Sequence, residues 1–202
     1  MVLVLASASP RRQQLLRNAR IAFTVQPADV PELFHPGESP NAVAERLARA
    51  KAEAVAGYFP SQPVLGADTV VVVDEEILGK PADRADAQRM LRLLSGKTHQ
   101  VITGVCLAKM VSQAALPMKA SDKSFEFMHV RSELTRVTMS TPGDQELEAY
   151  LSTSEPMDKA GGYAIQGMAS RWIPRIEGDY SNVVGLPVSL VCRMLRDHGI
   201  AY

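Results

Sequence analysis

Val64-Leu-Gly-Ala-Asp-Thr-Val-Val-Val-Val-Asp-Glu-Glu-Ile-Leu-Gly-Lys-Pro81 decides how this chain folds. The β-branched run over 64–74 reads as a strand, and it is too apolar to carry a wet face, so it belongs inside a sheet. Asp74-Glu75 marks a tight turn, and 76–78 reads as a short strand returning along the first, an antiparallel pair. Outward from this hairpin the segments turn helical. Ser39 reads as an N-cap with Pro40 at the first helical position, opening a helix over 40–58. Asp83 caps a second helix that reaches Leu94 and stops at Ser95-Gly96, where glycine permits the left-handed exit. Further strands are read at 2–6, 22–26, 101–108, 134–139, 161–166 and 172–176. Further helices are read at Pro10–Asn18, from Thr141-Pro142 to 151, and at 187–198. Strands alternating with helices give an α/β class, and the hairpin makes its central sheet mixed rather than all parallel.

At 202 residues the chain suits one core, read as a single domain over 1–202 with two lobes. Only 109–130 resists parsing; its weak periodicity reads as a hairpin extending from the body. The 22 basic residues match the 22 acidic ones and aromatics are 5%. There is thus no positive field and no stacking platform for nucleic acid, and none for an acidic membrane surface. The longest apolar runs fall far short of a membrane span. The opening Met1-Val-Leu-Val-Leu-Ala lacks a basic n-region and reads as a buried strand rather than a signal peptide. Cys106 and Cys192 form no CxxC pair, so a reducing, cytoplasmic setting is expected. His35, His99, His129 and His198 show no metal-ligand spacing, and no Walker or nucleophile-elbow motif occurs.

The chemistry-bearing residues are those that break a local rule. In Ser7-Ala-Ser-Pro-Arg-Arg12 a buried strand feeds a helix N-terminus, whose unpaired N–H groups and positive dipole favour an anion. Arg11 and Arg12 are the wrong charges for that end. Either they are solvated surface arginines, or a phosphate supplies the missing negative charge. Lys51 shares a helix row with Ala44, Ala48 and Val55, so its ammonium either snorkels to the rim or meets an anion within. Asp68 shares a strand face with Gly66, Val70 and Val72, and a buried carboxylate there must find a cation. A structural Asp–Arg pair and a metal-ligand or water-orienting role are both open, with Gly66 read as leaving room for a ligand. Lys80 ends the return strand, as a solvated turn lysine or as a group brought back toward the level of Asp68. Glu32 is a surface acid or a second cation ligand. Gly161, Gly162 and Gly167 resemble a phosphate loop only loosely.

Taken in order, these stretches resemble the Maf family of nucleotide pyrophosphatases. The resemblance is carried by Ser7-Ala-Ser-Pro-Arg-Arg12, Leu47-Ala-Arg-Ala-Lys51-Ala, Gly66-Ala-Asp-Thr69-Val and Gly79-Lys80-Pro81. It continues through Leu94-Ser-Gly-Lys-Thr-His-Gln-Val101, Glu155-Pro-Met-Asp-Lys-Ala-Gly161, Tyr163-Ala-Ile-Gln-Gly167 and Val184-Gly-Leu-Pro187. It spans nearly all the chain outside 109–130. The resemblance implies a bilobed α/β fold with a deep cleft, similar to that of house-cleaning inosine triphosphatases. It also implies cation-dependent hydrolysis between the α and β phosphates, with site residues at Ser7, Arg11, Arg12, Glu32, Lys51, Asp68, Lys80 and Gln166. Arg11 and Thr69, with the Ile-Gln-Gly stretch, look like the dTTP/UTP subgroup rather than the 7-methyl-GTP subgroup, which usually has Trp and Gln at those two positions.

On that resemblance, Asp68 and Glu32 are expected to hold a divalent cation, magnesium first, with manganese and cobalt as alternatives. Water then attacks the α-phosphorus in line and pyrophosphate leaves. Arg11, Arg12, Lys51 and Lys80 neutralise the phosphates, the Ser7–Ser9 turn offers N–H donors, and Thr69 and Gln166 hydrogen-bond the base. The expected partner is a nucleoside triphosphate, with a homodimer as a further expectation. The competing reading is a non-catalytic nucleotide-binding regulator of cell division or septum formation. Such a protein would keep the basic cradle without needing both acids.

Overall fold

The computed structural model describes residues 2–111 and 124–202. The middle of the extension expected at 109–130 therefore lies outside the described residues. The elements in order are β1 (Leu3–Leu5), α1 (Pro10–Asn18), β2 (Phe23–Val25), α2 (Pro40–Ala56), β3 (Val64–Val73), β4 (Glu76–Leu78), α3 (Arg84–Leu94), β5 (Thr98–Met110), β6 (Phe125–Thr138), α4 (Asp144–Leu151), β7 (Arg175–Glu177), α5 (Tyr180–Val184) and α6 (Val188–Asp197). The strands hydrogen-bond in the order β2-β1-β3-β5-β6-β7, with β4 on β3. Parallel β1–β2 and β1–β3 pairs coexist with antiparallel β3–β4 and β6–β7 pairs, which bears out the mixed sheet flanked by helices.

The chain divides into two compact units. One holds Met1–Asp68, Thr103–Ser132 and Gly185–Tyr202; the other holds Thr69–Ile102 and Glu133–Val184. In the first unit the strand period of two sorts the core onto two faces. Leu3, Leu5, Leu65, Ala67, Val105 and Leu107 pack with Leu16 of α1 and Val191, Met194 and Leu195 of α6. Val4, Ala6, Val64, Cys106 and Ala108 face Ala48, Ala52, Val55 and Ala56 of α2. Each fully buried leucine in such a layer contributes about 1.5–3 kcal/mol.

Glycines seat α2 on its face. A Cβ on Gly66 would stand 2.1 Å from the Ala48 carbonyl oxygen and 2.7 Å from the Ala52 nitrogen, and one on Gly104 would stand 2.3 Å from the Ala44 carbonyl. The helix backbone rests directly on β3 and β5, and its alanine row makes that approach possible. The room at Gly66, expected for a ligand, is filled by α2.

In the second unit, Val71, Val73, Leu78, Val101, Val137 and Met139 pack against Leu91 and Leu94 of α3, Leu147 and Tyr150 of α4, and Trp172. The β3–β4 hairpin closes through Asp74 and Glu75, both at positive φ (48° and 67°), the backbone of a primed two-residue turn. Three readings need correction. The helix expected from Thr141-Pro142 begins at Asp144, where the Glu146 carboxylate accepts from the Gly143 N–H at 3.1 Å. Residues 161–166 are not a strand, because Gly161 and Gly162 both sit near φ +70° and the Gly161 N–H donates to the Gly79 carbonyl. Trp172 ends a 3-10 turn, and the strand starts only at Arg175.

Candidate functional site

Six of the residues singled out from the sequence lie in the first unit, and Ser7, Arg12, Glu32, Lys51 and Asp68 meet there. β3 places Asp68 on the face turned to α2, since it shares period two with Val64 and Gly66. α2 places Lys51 one residue before Ala52, the side chain nearest Gly66. With helix and strand in backbone contact, Lys51 is nearly sealed from bulk water. Its Nζ donates to Asp68 Oδ1 at 2.5 Å and to Glu32 Oε1 at 2.6 Å. The Lys51 and Asp68 side chains are each 9% exposed, and Glu32, on the loop before α2, is 37% exposed. Of the two readings of Lys51, the inward one is found; Asp68 pairs with this lysine rather than with an arginine.

Arg12 is buried beside them. Its Nε donates to the Gly185 carbonyl at 2.8 Å, and Nη1 donates to the Ala67 carbonyl at 2.8 Å and to Ser7 Oγ at 3.2 Å. Burial lowers the guanidinium pKa from its usual value, while Asp68 and Glu32 raise it and Arg11 lowers it further. The misplaced charge at the start of α1 is thus answered at Arg12 largely from within the protein. Arg11, half-buried, stays at the mouth of the same turn. Ser9 caps α1, its Oγ accepting from the Arg12 N–H, and Ser7 Oγ accepts from the Ser9 N–H at 3.2 Å. The turn from β1 into α1 is therefore tied down by both serines and by the Arg12 side chain.

Thr69, Lys80 and Gln166 belong to the second unit. Thr69 is half-buried on β3, while Lys80 and Gln166 are exposed. The β4 register, Val71 opposite Leu78 and Val73 opposite Glu76, runs Lys80 back along β3 toward Thr69. Gln166 is held in a turn closed by a Gly167 N–H to Ala164 carbonyl hydrogen bond. Glu155 braces this turn from outside, accepting from the Met168 N–H at 3.2 Å. A Cβ on Gly167 would fall 2.0 Å from Glu155 Oε1, so any larger residue there would push this carboxylate aside.

Two residues of the first unit escaped the sequence reading. Arg46 of α2 forks onto Glu38, with Nε to Oε1 at 2.6 Å and Nη2 to Oε2 at 2.7 Å. Its Nη2 also donates to the Leu33 carbonyl at 2.8 Å. The pair anchors the loop immediately after Glu32, and Asp68 adds to the attraction that keeps Arg46 charged. Arg46 holds Glu38 well below the usual carboxylate range, at about 2. An acid one residue before the cap and an arginine eight residues on was the available signal. It was masked by the many charges of that helix.

Chemically, the first unit offers two oxygen-donor carboxylates converging on one positively charged atom, beside a helix N-terminus rich in arginine. Among the described residues no group of three or more His, Cys, Asp or Glu is arranged to hold a metal ion, so any cation seat here is built on two acids. Among the same residues no helix is long and apolar enough to cross a membrane.

A dTTP/UTP pyrophosphatase of Koribacter versatilis is 54% identical over 200 residues, covering 99% of this chain and 96% of that protein. Another from Syntrophomonas wolfei is 49% identical, covering 96% of each chain. The solved structure of the Staphylococcus aureus Ham1 protein aligns with a TM-score of 0.50 at 14% identity, over 98% of this chain and all of that one, a likeness of fold. The profile described as "Maf-like protein" matches residues 2–198, and the chain belongs to that family.

Proposed function

We propose that this protein hydrolyses nucleoside triphosphates, dTTP, UTP and modified pyrimidine nucleotides first among them, to the monophosphate and pyrophosphate. The observation that carries the reading is the convergence of Glu32 and Asp68 on a single cationic atom, at 2.6 and 2.5 Å, beside the arginine-bearing start of α1. The names of the curated relatives point to the same substrates.

The donor set fits a divalent cation of the magnesium class, which is commonly held by one or two carboxylates with the substrate phosphates completing its shell. The Lys51 ammonium already marks where positive charge is wanted. Asp68 and Glu32 would hold the cation, which when bound polarises phosphate oxygens and makes water more acidic. The chain's own groups do the rest. Arg11 and the α1 N–H groups bind phosphate oxygens as charge builds on the leaving pyrophosphate. Arg12 keeps the turn from β1 into α1, β3 at Ala67 and the Gly185 segment in fixed relation, so these donors need no reorganisation. The carboxylates orient the attacking water by accepting hydrogen bonds from it. One water is consumed, the α–β phosphoanhydride bond breaks, and the products are monophosphate and pyrophosphate. Two free cysteines, Cys106 buried and Cys192 half-buried, suit a reducing cytoplasm.

A panel of ordinary and modified triphosphates, assayed for pyrophosphate with magnesium and with chelator, tests the proposal. Release from dTTP and UTP at least tenfold above that from purine triphosphates, abolished by chelator, is expected. Binding without release across the whole panel would instead favour the non-catalytic regulator.

A further inference from the structure

The ammonium of Lys51 stands where the cation is wanted. Its Nζ touches Asp68 and Glu32 at once, with the lysine and aspartate side chains both nearly sealed from water. A divalent cation bound to the same two oxygens would lie in contact with that ammonium, and like charges at such range repel strongly where solvent screens little. The two cannot share those two oxygens.

The fold determines which of them can give way. α2 cannot settle closer, because its backbone rests on Gly66 and Gly104 with less space than a methyl group needs, and a retreat would open a void along β3 and β5. Asp68 is fixed on an inner strand. What can move is the four-carbon stem of Lys51, by rotation, and Glu32 on its loop. An ammonium leaves two carboxylates only for another anion, and a triphosphate provides one.

We propose that Lys51 is a built-in stand-in for the divalent cation, released from Glu32 and Asp68 by a nucleotide's phosphates, so that the free protein binds cation weakly and the nucleotide-bound protein binds it tightly. This rests on the reading of Glu32 and Asp68 as the cation seat. Coupling of this kind is reciprocal: cation must raise nucleotide affinity by the same factor as nucleotide raises cation affinity. It also keeps two acids from capturing metal while no substrate is present.

Manganese binding, followed by loss of the free-ion electron paramagnetic signal and by calorimetry, tests the inference without turnover. The samples are the intact protein alone, the protein with a UTP analogue whose α–β bridge is methylene, Lys51→Met alone, and Lys51→Met/Asp68→Asn, each checked for folding by circular dichroism. The analogue's own manganese affinity is subtracted. Lys51→Met without nucleotide should bind manganese at least tenfold tighter than the free wild type, and the added Asp68→Asn change should return it to weak binding. Equal or weaker binding by folded Lys51→Met overturns the inference. Should that variant not fold, the wild type decides alone: the analogue's Kd must fall with manganese by the factor by which manganese's Kd falls with analogue, and no change in either overturns it. If Asp68→Asn leaves the tight manganese site of Lys51→Met intact, the carboxylate seat itself is wrong, and the two failures are told apart.

Discussion

Gly66 lies flush against Ala48: a Cβ added to the glycine would stand 2.1 Å from the alanine's carbonyl oxygen, a backbone atom that cannot step aside. That contact sets the distance between helix and strand, and through it the meeting of Lys51 with Asp68. Gly66→Ala is therefore expected to cost about 1–3 kcal/mol of stability, the usual range for overpacking a dense core. Urea unfolding measures it. A midpoint equal to wild type would mean that α2 adjusts freely.

Asp68→Asn removes one of the two acids while keeping shape. The expected outcome is a fall in pyrophosphate release of at least about 100-fold with nucleotide binding retained, since the phosphate-binding donors of α1 are untouched. Lys51 keeps Glu32, so the variant should fold. Single-turnover assays and analogue binding separate the two effects, and full activity would remove Asp68 from the chemistry.

Arg46→Met should leave stability nearly unchanged, because a solvent-screened ion pair gains little beyond the side-chain entropy lost in holding it. Its effect should appear in the loop it anchors. With the Leu33 carbonyl and Glu38 released, the KM for magnesium is expected to rise several-fold, and proteolysis within 27–38 to quicken. An unchanged KM would show that Glu32 needs no brace.

His99 gives the stability a pH dependence. Burial holds its pKa down to about 4 against an ordinary 6.5, while Nε2 meets the Tyr163 hydroxyl at 2.6 Å. Between those two values the unfolded chain binds a proton that the folded chain refuses. Stability from this group is therefore complete above about pH 6.5 and falls as the pH drops toward 4, by roughly 3 kcal/mol in all. His99→Gln keeps a polar partner for Tyr163 and cannot titrate. Unfolding free energies at pH 7 and 4.5 should differ less in that variant, and an equal difference would clear His99 of the effect.

Much of this was legible in the chain itself. Capping residues followed by proline located α1 and α2, and the Asp-Glu pair located the β3–β4 turn, because those signals act within four residues. The acid on an inner strand and the lysine on an apolar helix row each demanded a partner, and each proved to be part of the other's answer. What could not be read depended on contacts distant in sequence. Gly161 and Gly162 fall inside a sequence-predicted strand because alternation says nothing of left-handed backbone. The start of α4 was shifted because Glu146 reaches Gly143 rather than Thr141. The burial of Arg12 is not legible locally, because the carbonyls that hold it lie 55 and 173 residues further on.

That last span has a temporal consequence. A chain emerging from the ribosome exposes Arg12 173 residues before Gly185, which completes the guanidinium's set of carbonyl partners. At about 5–20 residues per second the wait is some ten seconds or longer. Until Gly185 arrives, Arg12 lacks that anchor and the turn that presents the α1 amides is not fully tied down. Nascent protein should therefore be unable to consume nucleotide before the segment around Gly185 has been made.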